Sequence, residues 1–125
     1  MGERRYTKSH EWCLVTDGVA TCGISKHAAD ELNDLTFLDY RVAPGDAVQA
    51  GQTFGEIDSV KATSELYCPV GGTVEAINER FKDADELGVV TRSPEDEGWL
   101  IKIRLADPGA LAGLMSAAEY AAFAG

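Results

Sequence analysis

One basic residue stands between two strand-like runs in the segment Ile57-Asp58-Ser59-Val60-Lys61-Ala62-Thr63-Ser64-Glu65-Leu66-Tyr67. Gly51 and Gly55 precede this segment, and Cys68-Pro69-Val70-Gly71-Gly72 follows it. A lone lysine in an acidic and apolar stretch is well placed to be approached by another molecule. We therefore expect Lys61 on an exposed turn, where its amine suits covalent attachment of a prosthetic group.

The composition indicates an ordinary globular protein. The chain has 125 residues, and we expect residues 1–125 to form a single domain. Its thirteen glycines favour a turn-rich, mostly β architecture. The formal net charge of −10 argues against a nucleic-acid binder, which needs a basic stripe, and against binding to an anionic membrane. No apolar run approaches the roughly 18–20 residues that span a bilayer.

The cysteines and the N-terminal residues indicate a compartment. Three cysteines without a C-x-x-C pair fit a reducing environment. The segment Met1–Tyr6 has no apolar stretch behind its arginines, so it does not resemble a secretory signal. We therefore expect a cytoplasmic protein.

A hairpin is predicted over residues 11–24. Asp17-Gly18 is a two-residue turn between apolar runs, and its register pairs Thr16 with Val19 and Cys13 with Cys22. The two cysteines then share one face of the hairpin. They are interpreted as small core residues, and the alternative is a redox-labile cross-strand disulfide.

Further elements follow from turn and capping signals. Ser25 is a candidate N-cap for a helix over 26–33, and Ser116-Ala117-Ala118-Glu119 is a capping box for a C-terminal helix. Residues 78–98 are polar and irregular, which predicts a surface excursion. Strands are predicted at Leu35–Tyr40, Ala47–Gln49, Phe54–Ile57, Leu66–Tyr67, Gly72–Ile77 and Trp99–Leu105.

Two short segments of similar sequence flank the lysine. Val42–Val48 before it and Tyr67–Val74 after it each place proline and glycine just ahead of a short valine-bearing strand. Two similar β units around one exposed turn suggest a flattened barrel with pseudo-twofold symmetry and Lys61 at a hairpin tip.

Four blocks of the chain resemble, in order, the H protein of the glycine cleavage system, a lipoyl carrier family. They are Tyr6-Thr7-Lys8-Ser9-His10-Glu11-Trp12; Gly23-Ile24 with His27-Ala28 and Leu32; Phe54–Glu65, which contains Ser59-Val60-Lys61-Ala62; and Glu97–Ile103 with Glu119-Tyr120 and Phe123. The resemblance implies a barrel-sandwich hybrid of antiparallel strands, with lipoic acid in amide linkage on Lys61. It also implies that Asp58, Ser59, Val60 and Ala62 form the turn that the lipoylating enzyme recognises.

The resemblance further implies a non-catalytic carrier. An aminomethyl group would be loaded by glycine decarboxylase and unloaded by the folate-dependent aminomethyltransferase, and dihydrolipoamide dehydrogenase would reoxidise the arm. A lipoate ligase or lipoyl transferase would attach the arm, and we expect a monomer. Ser9, Glu11 and Glu65 are implied to dock the loaded arm, since carboxylates can hold a protonated amine. The alternative for Glu11 and Glu65 is plain surface acidity.

The sequence leaves other hypotheses beside the H-protein family. Biotin carriers also use a hairpin lysine, but they resemble Met-Lys-Met, whereas Val60 and Ala62 flank Lys61. Residues 33–41 and 88–96 depart from the family pattern, so an H-like lipoyl carrier of another pathway, such as heterodisulfide-reductase-like sulfur oxidation, is an alternative. A non-catalytic interaction or lipoyl-relay protein is a third hypothesis.

No metal site is expected. His10 and His27 have no second ligand at metal-site spacing, so both are predicted to be packed or exposed. Cys68 has no activating neighbour in sequence and is interpreted as structural. Trp12 and Trp99 are expected to anchor the core.

Overall fold

The computed structural model describes residues 4–124, which contain nine strands and three α-helices, with short 3-10 helices between some of them. The strands are β1 (Arg5–Tyr6), β2 (Glu11–Thr16), β3 (Val19–Ile24), β4 (Leu35–Tyr40), β5 (Ala47–Val48), β6 (Thr53–Ser59), β7 (Thr63–Tyr67), β8 (Gly72–Ile77) and β9 (Ile101–Leu105). The helices are α1 (Lys26–Leu32), α2 (Gly88–Arg92) and α3 (Ala117–Ala124). The predicted mainly β class, with one helix in the N-terminal half and one at the C-terminus, is confirmed.

The strands form two antiparallel sheets that share one core. The larger sheet has the order β1-β2-β3-β9-β8-β5, and the smaller has the order β4-β6-β7. Leu38 and Ile57 of the smaller sheet pack in the same buried cluster as Ile101 and Ile103 of the larger one. Burial of each large aliphatic side chain is worth about 1.5–3 kcal/mol. This shared core therefore holds the β6–β7 hairpin, and the lysine at its tip, against the rest of the molecule.

The β2–β3 hairpin has the predicted register. Asp17 and Gly18 adopt positive φ angles of 53° and 79°, as a tight two-residue hairpin turn requires, and Cys13 lies opposite Cys22. Both cysteines are fully buried free thiols, and Cys68 is a third. The interpretation of the cysteines as core residues fits this arrangement.

The segment 78–98 differs from the sequence prediction. It forms 3-10 turns at Glu79–Lys82 and Ala84–Glu86 and then α2, and it buries Phe81, Leu87 and Val90 in the main core. The prediction of a surface excursion was wrong because the many acidic residues hide apolar residues whose spacing follows no single helix or strand period.

The two predicted helix caps are present. Ser25 Oγ accepts the amide of Ala28 at 3.2 Å at the start of α1. At the start of α3, Ser116 and Glu119 exchange hydrogen bonds of 2.9 and 3.2 Å, which is a capping box. Helix α3 then covers a second, smaller core made by Tyr6, Trp12 and Tyr120. No helix in the described part of the chain is long and apolar enough to cross a membrane.

Candidate functional site

Lys61 lies at the tip of the β6–β7 hairpin, with an exposed side chain. The two strands pair up to Asp58 and Thr63, so the tip spans the residues between them. Val60 beside the lysine is 69% exposed, which is unusual for a large aliphatic side chain. Among residues 4–124 no carboxylate forms an ion pair with Lys61. The amine is therefore open to approach.

The backbone of the tip is held although its side chains are free. The amide of Ser59 donates to the carbonyl of Ala62 at 2.8 Å, and Ser59 Oγ accepts the amides of Lys61 and Ala62 at 3.2 Å each. Such local side-chain bonds stabilise a turn. The amide of Val60 also donates to the carbonyl of Asp34 at 3.1 Å, which ties the tip to the start of β4.

The tip fits a group attached through an amide. Acylation of a lysine removes its positive charge, which strands a partner carboxylate wherever the lysine is part of an ion pair. Lys61 has no such partner within the described residues, and its long unbranched stem projects from a fixed turn. Acylation at this position therefore costs no described contact.

The outer face of the smaller sheet is acidic and is organised around Arg41. The guanidinium of Arg41 bonds Glu56 and Glu65 at 2.9 Å each, and its Nε lies 3.9 Å from Asp39. Partial burial and the neighbouring Asp58 carboxylate raise the pKa of Glu56. On this face Glu65 forms an ion pair with Arg41.

Glu11 lies on the other side of the hairpin, 2% exposed. Its carboxylate accepts hydrogen bonds from Thr7 Oγ1 at 2.7 Å and from the hydroxyl of Ser9, and the amide of Tyr67 lies 3.4 Å away. Burial raises the pKa of Glu11, and these three donors oppose that rise. Burial and the charge of Glu11 also raise the pKa of Cys68 to about 12, so this thiol is not an activated nucleophile.

A cleft of about 160 Å³ opens between α1 and the β6–β7 hairpin. Ser9 joins the Glu11 carboxylate to this cleft. The cleft is lined by Ser9, His10, Ala28, Glu31, Leu32 and Ser64. The structure thus brings Ser9 and Glu11 together beside the hairpin, whereas Glu65 points to the opposite face of β7 from Ser64.

Five residues that line the cleft are not predicted as site residues by the sequence: His10, Ala28, Glu31, Leu32 and Ser64. Ala28, Glu31 and Leu32 have the i, i+3, i+4 spacing of one helix face, which was a usable signal. Ser64 and Glu65 are adjacent on β7, so their side chains point to opposite faces of the sheet. The approach of β7 to α1 is a tertiary contact that no local pattern contains.

A larger and more open depression of about 370 Å³ lies elsewhere, among Arg4, Lys26 and residues 93–96. It contains no residue of the hairpin tip. Its central carboxylate, Glu95, is already bonded by Tyr6 Oη at 2.6 Å and the amide of Lys26 at 2.9 Å. The smaller cleft is the one that includes a residue of the β6–β7 hairpin, Ser64.

Residues 4–125 match the family model described as glycine cleavage H-protein. The chain belongs to this family. The glycine cleavage system H protein of Opitutus terrae is 46% identical over 117 residues, which cover 93% of this chain and 90% of that protein. The H protein of Alcanivorax borkumensis is 46% identical over 120 residues, covering 96% and 91%. The predicted family is confirmed.

The fold of an H protein is also confirmed by structure. The crystal structure of a glycine cleavage system H protein from Mycobacterium marinum is similar with a TM-score of 0.81, at 30% identity. The similarity covers 98% of this chain and 96% of that one. The departures at residues 33–41 and 88–96 therefore leave the H-protein fold intact, and the alternative of an H-like carrier from another pathway is not favoured.

The remaining predicted side chains are packed or exposed, as follows. His10 and His27 have ring centroids 4.8 Å apart, and Nε2 of His27 lies 2.5 Å from Oε1 of Glu31. Within the described residues no group of three or more potential ligands is arranged for a metal ion. Trp12 is 2% exposed, whereas Trp99 is half-buried and packs beside that smaller core under the ammonium of Lys102.

Proposed function

We propose that Lys61 carries lipoic acid in amide linkage and that this H-protein-family chain is the non-catalytic carrier of the glycine cleavage system. The observation that carries the proposal is an exposed lysine on a hairpin tip, which has no ion-pair partner among residues 4–124 and whose backbone is held by Ser59. A carrier needs a lysine amine that a ligase can reach, on a backbone turn that stays fixed while the side chain moves. This tip supplies both.

The turn Asp58, Ser59, Val60 and Ala62 is proposed as the surface that the lipoylating enzyme reads. Ser59 Oγ holds the backbone amides of Lys61 and Ala62, and Val60 has an exposed apolar side chain next to Lys61 in the chain. A lipoate ligase or lipoyl transferase would therefore meet a preformed loop. Preformed loops cost less ordering entropy on binding than mobile ones.

The attached dithiolane would supply the sulfur that accepts an aminomethyl group and the dithiol that is later reoxidised. The chain's own part is recognition and shelter. Glu11, buried and held by Thr7 and Ser9, offers a fixed carboxylate beside the cleft. Such a carboxylate can accept a charge-assisted hydrogen bond from a protonated amine.

The arm-docking proposal rests on Ser9 and Glu11 in this chain. Glu65 forms its bond with Arg41 on the outer face of the sheet, so docking through Glu65 requires that ion pair to open. The ion pair is half exposed, and exposed pairs are worth only about 0–1 kcal/mol. Glu65 is therefore proposed as a secondary contact.

The proposed partners are glycine decarboxylase, the folate-dependent aminomethyltransferase, dihydrolipoamide dehydrogenase and the lipoylating enzyme. An acidic chain with a formal charge of −10 suits protein partners and is unsuited to nucleic acid or an anionic membrane. We propose a monomeric cytoplasmic protein, since three buried free thiols fit a reducing compartment.

Mass spectrometry after incubation with a lipoate ligase tests the attachment. The wild-type chain and Lys82→Arg, a control at another exposed lysine, should each gain one lipoyl group, and Lys61→Arg should gain none. Glycine–carbon dioxide exchange with a purified decarboxylase then tests the pathway. Exchange by the lipoylated wild type and not by Lys61→Arg is expected. A fully lipoylated protein that supports no exchange would refute the glycine cleavage role.

A further inference from the structure

One tyrosine hydroxyl lies behind the cleft and contacts two of its sides. Tyr120 Oη, carried by α3, lies 2.6 Å from His10 Nδ1 and 2.7 Å from Ser25 Oγ. His10 lines the cleft from the turn between β1 and β2, and Ser25 caps α1, which lines the cleft with Ala28. Helix α3 is therefore linked to both sides of the cleft through the hydroxyl of Tyr120.

The two sides are also joined directly. The amide of Ser25 donates to the carbonyl of His10 at 2.9 Å. The backbone of His10 has a φ of 70°, in the left-handed region that residues other than glycine seldom adopt. Surrounding contacts must hold such a residue in place. The His10 amide donates to the carbonyl of Thr7 at 3.1 Å, its carbonyl accepts from Ser25, and its ring is bonded to Tyr120.

The hydrogen bonds that link Ser25, Tyr120 and His10 can all run in one direction, from Ser25 to His10. Ser25 Oγ accepts the amide of Ala28 and can donate its own proton to Tyr120 Oη. Tyr120 is then free to donate its own proton to His10 Nδ1, which requires the tautomer that is unprotonated at that nitrogen. Burial raises the pKa of Tyr120, so its hydroxyl keeps the proton that it donates. In this arrangement His10 is neutral and carries its proton on Nε2.

The surroundings of His10 taken together lower its pKa and so favour the same neutral form. Burial lowers the pKa of His10, His27 of α1 lowers it further, and Glu31 of α1 opposes them. Tyr120 is the titratable group that faces His10 from α3, where Phe123 also packs near the ring. A neutral imidazole can accept from Tyr120, whereas a protonated one cannot.

We propose that Tyr120 is a positioning residue of the cleft, whose hydroxyl joins His10 on one side to the N-cap of α1 on the other and fixes the tautomer of His10. The importance of this cleft for a loaded arm rests on the proposed function. The hydrogen-bonded chain itself, Ala28 to Ser25 to Tyr120 to His10, does not, and it can be tested in the protein without the arm.

The test uses nitrogen NMR of the His10 ring in the wild type, Tyr120→Phe and Tyr6→Phe. Tyr6 is a matched control, because it stacks on Tyr120 at 4.5 Å, is equally buried at 7% exposure, and directs its hydroxyl to Glu95 instead. Both variants keep the aromatic ring, so both should remain folded. The wild type should show a bare Nδ1 and a protonated Nε2 at neutral pH.

Loss of a donor to the neutral imidazole should make His10 easier to protonate. In Tyr120→Phe the midpoint of the His10 titration should move to higher pH, by up to about one pH unit. In Tyr6→Phe it should stay at the wild-type value. A wild-type ring protonated on Nδ1, or a midpoint that is unchanged in Tyr120→Phe or moves equally in Tyr6→Phe, overturns the proposal.

A second readout separates this proposal from the function of the cleft. In lipoylated protein, loading the arm should shift the amide resonances of Ala28 and Leu32, and Tyr120→Phe should weaken that shift more than Tyr6→Phe does. Absence of any shift in the wild type would refute arm docking and leave the His10 result standing. Equal shifts in all three proteins would refute the positioning role and leave arm docking standing.

Discussion

Ser59 Oγ accepts the backbone amide of Lys61 at 3.2 Å, so the residue proposed for modification is held by the side chain two positions before it. The same oxygen accepts the amide of Ala62. Local bonds of this kind replace the sheet pairing that ends at Asp58 and Thr63. The side chain of Lys61 is left free while its backbone is fixed.

Ser59→Ala should loosen the tip and leave the fold unchanged. Loss of these bonds should lower the free energy of unfolding by about 1 kcal/mol, because each exposed hydrogen bond has a small net value. Hydrogen exchange at the amides of Lys61 and Ala62 should accelerate, and lipoylation should slow. Ser64→Ala on the adjoining strand is the control, and equal acceleration at the tip in that variant would contradict the role of Ser59.

Gly72→Ala should disrupt the pairing of β8 with β9. A Cβ atom at Gly72 would lie 1.9 Å from the carbonyl oxygen of Arg104, so the paired strand would have to move. We expect a loss of at least about 2 kcal/mol in urea unfolding. Gly113→Ala is the control, since a Cβ there meets no atom within 4 Å and should change stability by less than about 0.5 kcal/mol.

Glu11 should make stability depend on pH in the direction opposite to most carboxylates. Its pKa is raised by burial, so the folded chain holds this proton to higher pH than the unfolded chain does. The folding stability that protonated Glu11 contributes is fully present below the ordinary pKa of a glutamate, and it is lost as pH rises through the raised pKa. The stability of Glu11→Gln relative to the wild type should therefore increase from about pH 4 to about pH 7 in denaturant titrations.

Glu119→Gln is the control of opposite sign. Hydrogen bonds from Ser116 lower the pKa of Glu119, so its contribution is present above the ordinary pKa and is lost as pH falls. The relative stability of this variant should decrease over the same pH rise. A common trend in both variants would contradict the burial argument for Glu11.

Arg41→Gln should raise the pKa of a carboxylate on the acidic face and should change the free energy of unfolding only slightly. Its ion pairs are half exposed, and such pairs contribute about 0–1 kcal/mol. Loss of the guanidinium should raise the pKa of Glu56, since Arg41 is the group that lowers it. Carbon NMR of the Glu56 carboxyl measures this rise. Arg104→Gln, which breaks a pair with Glu75 on the other sheet, should leave Glu56 unchanged.

Local signals predicted the local structure well. The Asp17-Gly18 turn gave the register of Cys13 opposite Cys22, and Ser25 and Ser116 marked helix starts that the structure confirms. These features depend on a few adjacent residues, which is why the sequence alone was sufficient. Lys61 could be singled out for the same reason, because its turn and its neighbours are contiguous.

The cleft could not be predicted in full because it is assembled from distant parts of the chain. Ser9, Leu32 and Ser64 come from a turn, a helix and a strand that meet only after folding. Tyr120 is bonded to His10 across 110 positions of sequence. Burial of Phe81 within an acidic segment was also missed, because local composition does not report which of its residues face the core.

The burial of the cysteines has a consequence for the proposed attachment of a redox-active arm to Lys61. Cys13 and Cys22 are 0% exposed and Cys68 is 2% exposed, and burial raises the pKa of Cys22 and Cys68. Mixed disulfides form by attack of a thiolate that can reach its target. The polypeptide therefore presents no accessible thiol to the proposed lipoyl arm, whose electrons would have to leave through an external acceptor.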